Sequence, residues 1–217
     1  MKCVIHGSGG VGGYYGGCLA RSGHEVFFIA RGAHLEAIQK QGLSIKSAKG
    51  DFRIETPKSG ESCDPNFYPD LVIVAVKSWQ LPEITEEIKN YCTPSTLILP
   101  LQNGADASDI LADTLGPERV LGGLTKIFSK IEAPGVINHF TGATYIGFGE
   151  YFQDPQFQNA PDSLSERCRN LEKELDSTPG IDAEAFVDIQ KELWRKMLIF
   201  VSTSGVGTIT RTPNGVF

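Results

Sequence analysis

The sequence predicts a doubly wound α/β fold, a parallel sheet with helices on both faces. Three observations carry that prediction. Short apolar runs alternate with helix-like segments from the N-terminus onward. One run, Asp70 to Val76, is apolar without alternation, as a strand buried on both faces of a parallel sheet should be. A glycine-rich turn follows the first run directly, where such folds bring their ligands to the carboxyl ends of the strands.

The first strand is expected at Cys3 to His6. Gly7, Gly9 and Gly12 then fall at the G-x-G-x-x-G spacing, ahead of a helix over Val11 to Ser22 that Gly23 ends. In this context the first glycine permits a tight turn and the second lets backbone approach a pyrophosphate. The third lets helix pack on strand, while the helix N-terminus offers free N–H groups to an anion. Gly7, Ser8, Gly9, Gly10, Val11 and Gly12 are therefore the candidate dinucleotide-binding residues. The chain holds 24 glycines, so it is the placement that makes the motif informative.

Glu25 to Ala30 is the expected second strand. Its tip should lie beside the adenosine ribose, where a carboxylate would select NAD and an arginine would accommodate a 2′-phosphate. The residue there is Arg31, with no Asp or Glu from Phe27 to Leu35. The functional reading is NADP; the bland one is a solvated arginine opening a helix over His34 to Gln41. Leu43 to Ser47 and Asp51 to Glu55, around Lys49-Gly50, suggest a hairpin. Thr56 to Pro69 is rich in Pro, Gly, Ser and Asn and is expected to be a loop.

The strand at Asp70 to Val76 belongs at the sheet centre and ends in Lys77-Ser78-Trp79-Gln80. A lysine at that edge can meet cofactor phosphate or a substrate carboxylate, or simply lie on the surface. A helix over Leu81 to Tyr91 and a strand over Ser95 to Leu101 follow, the latter topped by Gln102-Asn103-Gly104. A helix is expected at Ala107 to Leu115, and further strands, as an antiparallel extension, within Val136 to Gly149. Pro155 to Ser163 reads as a loop, Leu164 to Leu175 as a helix and Ala183 to Val187 as a short strand. The helix from Ile189 to about Thr203 is apolar around most of its circumference and should be buried. Arg195 and Lys196 are the charges in its middle.

A net charge of -6 argues against nucleic acid or an anionic membrane as the main partner. The five cysteines are scattered and odd in number, which indicates neither a zinc site nor a disulfide framework and fits a reducing cytoplasm. No export signal or membrane-spanning run is read, and no metal is expected.

The residues quoted, together with Pro134-Gly135-Val136-Ile137-x-His139, Trp194-x-Lys196 and Pro213-Asn214-Gly215, resemble the ketopantoate reductases (2-dehydropantoate 2-reductases) along the whole length. The resemblance implies a Rossmann-type NADP-binding domain over residues 1–185 and, over 186–217, the beginning of an all-helical substrate and dimerisation domain. It also implies NADPH-dependent reduction of a 2-oxoacid to the 2-hydroxyacid, as in pantothenate biosynthesis. Carried over residue by residue, Gly7 to Gly12 hold the pyrophosphate, Arg31 the 2′-phosphate, and Lys77 and Asn103 line the cofactor and substrate side. Lys196 becomes the catalytic acid; Asn103, Lys196, Ser204 and Asn214 are the substrate-binding set.

An ammonium at the edge of a dry cleft suits that role, since reduction of a ketone needs a proton at the oxygen. The bland alternative is a lysine whose stem covers apolar surface. Two departures bear on the substrate. Where the family places asparagines one and two turns beyond the lysine, this chain has Phe200 and Ser204. The family's later carboxylate has no counterpart before Phe217, which suggests a fragment or a shortened relative and, for the exposed apolar helix, self-association as a homodimer. A β-hydroxyacid dehydrogenase-like enzyme and a non-catalytic NADPH-binding or sensing protein are the other readings.

Overall fold

The computed structural model describes residues 1–151 and 163–213. Its centre is a five-stranded parallel sheet in the order β5-β2-β1-β6-β7. These strands are β1 (Lys2–His6), β2 (Glu25–Ile29), β5 (Lys58–Gly60), β6 (Leu71–Val74) and β7 (Leu97–Pro100). β1 occupies the middle position, with β6 beside it, so the run expected at the centre is interior but one place off it. Every residue of β6 is buried, as its unbroken apolar character requires.

One face of this sheet is covered by α3 (Leu81–Lys89) and α4 (Ala107–Leu115), whose Leu81, Ile84, Ile88, Leu111 and Leu115 pack on Val4, Val72 and Val74. The other face carries α1 (Gly10–Arg21). This helix is buried on both sides because a second sheet closes over it. Its glycines make that possible: a Cβ on Gly16 would stand 2.6 Å from Ile5 of the first sheet, and one on Gly13 2.9 Å from Ile137 of the second. α2 (Gly32–Gln41) follows β2.

The second sheet is built on a long hairpin, β8 (Leu121–Ala133) antiparallel to β9 (Val136–Glu150), turning at Gly135. Along its other edge β9 pairs in parallel with β3 (Leu43–Ser47) over its first part and with β10 (Asp182–Phe186) over its last. β4 (Phe52–Ile54) completes the expected hairpin with β3. α5 (Glu166–Asp176) packs Cys168, Leu171 and Leu175 into the same core, and α6 (Ile189–Thr210) leaves the sheet edge.

The structure departs from the expected elements at three further points. Lys58–Gly60 is a strand inside the expected loop, held by register with Phe27 to Ile29 at the sheet edge. β8 was not anticipated as a strand. α6 runs to Thr210 rather than Thr203, and only Ile189 and Leu193 of it are buried, where burial of most of its surface was expected. The five cysteines are free thiols. Most of the expected loop at 155–163 lies outside the described residues. Among the described residues no helix is long and apolar enough to cross a membrane, and no three His, Cys, Asp or Glu side chains gather as a metal site.

Candidate active site

The site lies where the chain reverses direction across the sheet, between the carboxyl ends of β1 and β6, the position such folds use for ligands. Gly7 leaves β1 at φ +102°, and a Cβ there would meet the Val76 backbone at 2.8 Å, so only glycine fits. α1 then starts at Gly10 with Gly9 as an N-cap that has no side chain to satisfy the first-turn N–H groups. Ser8 Oγ is buried without a hydrogen-bond partner. Beside Gly9 a Cβ would touch nothing within 4 Å, which leaves open space over the helix N-terminus. Donors without partners, space and a helix dipole are what a pyrophosphate requires.

Gly12 and Gly10 serve packing. A Cβ on Gly12 would stand 2.3 Å from the Gly7 carbonyl oxygen, and one on Gly10 2.5 Å from the Ser129 carbonyl oxygen of β8. Arg31 is exposed at the N-cap of α2 and lines the same cleft, of about 270 Å³, together with Gly7, Ser8, Gly9 and Lys77. At its floor His6 is buried, bonded through Nδ1 to the Tyr91 hydroxyl at 3.0 Å, with Nε2 3.9 Å from Glu87. Burial, helped slightly by Arg31, pulls its pKa down to about 4, so the ring is neutral near pH 7.

One residue here escaped the sequence reading. His34 Nδ1 accepts from the Gly135 N–H at 3.0 Å, which leaves Nε2 to donate to the Ser8 carbonyl at 2.9 Å. The imidazole thus fastens the glycine-rich turn to the tip of the β8–β9 hairpin. Burial holds its pKa below the usual value, in keeping with that neutral tautomer. The nearest signal in the sequence was Pro134-Gly135, and nothing there named its partner.

A larger cleft of about 1010 Å³ adjoins the first, with Lys77 on the wall of both. Val11, Asn103 and Lys196 also line it. Gln102 ties the end of β7 to that of β6 by donating to the carbonyls of Val74 and Val76, both at 3.0 Å, and so fixes the backbone next to Asn103. Lys196 Nζ donates to Asn103 Oδ1 at 2.9 Å across 93 residues of sequence. Burial, and then the charge of Lys126, pull the Lys196 pKa down to about 8. Lys126 projects from β8 into the same cleft and had no signal in the sequence. Ser204 is exposed and borders a smaller hollow with Asn103, Lys196 and Phe200; Asn214 lies outside the described residues.

A glycine-rich turn at the carboxyl edge of a doubly wound parallel sheet, opening onto a cleft, is the arrangement of Rossmann-type dinucleotide-binding proteins. The comparisons with known proteins narrow the class. A family model described as Ketopantoate reductase PanE/ApbA matches residues 3–151. The chain belongs to that family, whose members are oxidoreductases that use NADPH.

It is 33% identical to an oxidoreductase of Bacillus subtilis (strain 168), YkpB, over 99% of this chain and 67% of the relative. It is 30% identical to the 2-dehydropantoate 2-reductase of Pyrococcus horikoshii, over 99% of this chain and 66% of that protein. Among solved structures, the 2-dehydropantoate 2-reductase of Geobacter metallireducens GS-15 superposes with a TM-score of 0.85 at 29% identity. The match covers 98% of this chain and 67% of that one. The chain spans about two thirds of the length of these relatives.

Proposed function

We propose that the protein reduces a 2-oxoacid to the 2-hydroxyacid with NADPH, 2-dehydropantoate and related compounds being the candidate substrates. The observation that carries this reading is the Lys196–Asn103 pair, an ammonium brought near neutral pKa at the border of a cleft continuous with the glycine-rich turn. NADPH, when bound, supplies a hydride to the carbonyl carbon. Gly7, Ser8, Gly9 and the first turn of α1 would hold its pyrophosphate, Arg31 its 2′-phosphate, and Lys77 the passage between the clefts.

Lys196 faces the carbonyl oxygen. As the C=O π bond breaks, that oxygen takes a proton from Nζ, which leaves a neutral amine to be reprotonated from solvent. Asn103 orients the ammonium by accepting one of its hydrogens, and its own amide N–H₂ is available to a substrate oxygen. The division into a nucleotide domain over 1–185 and the start of a helical domain over 186–217, with Ser204 and Asn214 on the substrate side, belongs to the same reading. So do cytoplasmic location and self-association through α6.

Incubation of the protein with NADPH and a panel of 2-oxoacids, followed by loss of NADPH absorbance and recovery of the 2-hydroxyacid, tests the reading. Binding of NADPH with no oxidation by any 2-oxoacid would overturn it in favour of a non-catalytic NADPH-binding protein.

A further inference from the structure

The cleft around Lys196 is walled by apolar side chains that pack poorly against the rest of the chain. Trp79, beyond β6, is 77% exposed and Phe128 of β8 is 57% exposed, and both line it with Ile127, Ile199 and Phe200. Phe200 stands one turn past Lys196 on the same face of α6, its ring centroid 5.3 Å from Nζ. A carbonyl within hydrogen-bond reach of Nζ is therefore close enough to that ring for its side chain to meet it.

Much of the polar equipment of the cleft is already engaged. The Gln102 amide N–H₂ serves two backbone carbonyls while its Oε1 is buried without a partner, and the Thr125 hydroxyl lies 2.6 Å from the Tyr15 hydroxyl and 2.9 Å from the Tyr145 carbonyl. Arg195 and Glu192 hold each other at 2.5 Å, and Asn103 Oδ1 accepts from Lys196. A hydroxyl on a side chain set against Phe200, Phe128 and Ile199, away from the Asn103 amide, would exchange water for apolar wall and lose its hydrogen bonds.

Two further cations in the cleft, Lys77 and Lys126, form no ion pair among the described residues, and Lys126 is the one whose charge repels Lys196. Lys126 Nζ lies 4.9 Å above the Tyr145 ring centroid. An anion set between the Lys126 and Lys196 ammonium groups would relieve that repulsion.

We infer that the substrate is a 2-oxoacid with a bulky apolar side chain, aromatic or branched and without a hydroxyl, its carboxylate held by Lys126 and its side chain by Phe200, Phe128 and Ile199. The inference rests on the reductase reading above and adds the substrate class to it. Phe200 is then the specificity-determining residue and Lys126 the carboxylate anchor.

The test is calorimetric titration of the protein saturated with NADP⁺, where no turnover occurs, with benzoylformate, with its methyl ester and with 2-dehydropantoate. Benzoylformate is expected to bind about tenfold or more tightly than 2-dehydropantoate, and Phe200→Asn to remove or invert that preference. Lys126→Met should weaken both acids about tenfold or more while the ester and NADP⁺ bind as before.

Equal or tighter binding of 2-dehydropantoate by the unaltered protein, or an unchanged preference in Phe200→Asn, would overturn the side-chain assignment and leave the reductase reading standing. Unchanged acid binding in Lys126→Met would overturn the anchor. Binding of NADP⁺ with no binding of either acid would remove the reductase reading, and this inference with it.

Discussion

Replacement of Lys196 by methionine keeps the apolar stem and removes the ammonium. If Nζ supplies the proton, the hydride-transfer step followed in a single turnover should slow by a factor of about 10²–10⁴, or roughly 3–5 kcal/mol of barrier. NADPH affinity should not change, because Lys196 lines the larger cleft and not the one at the glycine-rich turn. The pH profile adds a second reading of the same group. The donor is the protonated form and its pKa is about 8, so the rate should be level below pH 7 and fall roughly tenfold per pH unit above 8.

Lys126 is the second cause of that low pKa, after burial. Lys126→Met should therefore move the falling limb to higher pH. Stability separates this from a structural lysine. The folded state gives up the Lys196 proton near pH 8, below the unfolded value of about 10.4, so at pH 7 the buried charge weakens folding. Lys196→Met should leave Tm unchanged or raise it. A lysine that only covers apolar surface would give the reverse, nearly intact turnover with a lower Tm. Normal single-turnover rates in Lys196→Met would refute the assignment, and a falling limb that stays in place in Lys126→Met would leave burial as the cause of the low pKa.

Arg31→Ala should cost NADPH about 1.5–3 kcal/mol, ten- to hundredfold in Kd, and leave NADH binding unchanged; equal losses in a fluorescence titration would remove the basis for NADP preference. Gly12→Ala drives a Cβ against the Gly7 carbonyl and Ile5 and should cost about 1–3 kcal/mol in urea unfolding together with NADPH affinity, whereas Gly9→Ala enters open space and should spare stability. His6 has a folded pKa of about 4 against an ordinary 6.5, so the unfolded chain binds a proton that the folded one refuses. Stability should fall by about 3 kcal/mol as pH drops from 6.5 through 4, and His6→Asn should flatten that loss. Trp194, Leu198 and Ile209 expose 55%, 68% and 85% of their surface on α6. The protein should self-associate through them in sedimentation at micromolar concentration, and a monodisperse monomer would contradict this.

The parallel sheet was legible because its strands are buried on both faces and therefore written as unbroken apolar runs. β5 was not: Lys58-Ser59-Gly60 is polar, three residues long and at an edge, and only pairing with β2 makes it a strand. β8 carries a weak pattern because Lys126 to Ala133 is exposed or half-buried and owes its extension to the β9 ladder. The length of α6 was hidden by a stretch of Ser, Thr and Gly that reads as a helix end. In the structure Ser202, Thr203, Thr208 and Thr210 return their hydroxyls to carbonyls four residues back, and the helix continues. Of the candidate site, the glycine turn, Arg31, Lys77, Asn103 and Lys196 stood at element ends or in motifs. Lys126 and His34 did not, because what defines each is a partner about 70 and 101 residues away, and no local pattern encodes such a meeting.

The placement of Lys196 follows from how α6 is rooted. Asp188 caps its first turn through the Lys191 N–H, and Ile189 seats in a slot that two glycines open: a Cβ on Gly122 would stand 2.6 Å from it, one on Gly149 3.0 Å. Leu193 joins it in a small cluster with Leu124, flanked by Tyr145 and Phe186. Leu124 lies two residues before Lys126 on β8, and Leu193 lies three before Lys196 on α6. The two lysines thus extend from backbone on either side of one buried contact, which sets the spacing of the segments that carry them. Phe200 is one turn further out, where α6 has left the sheet. The proposed proton donor therefore stands three residues past the last buried position of the helix, Leu193, and the proposed selecting residue on the turn after it.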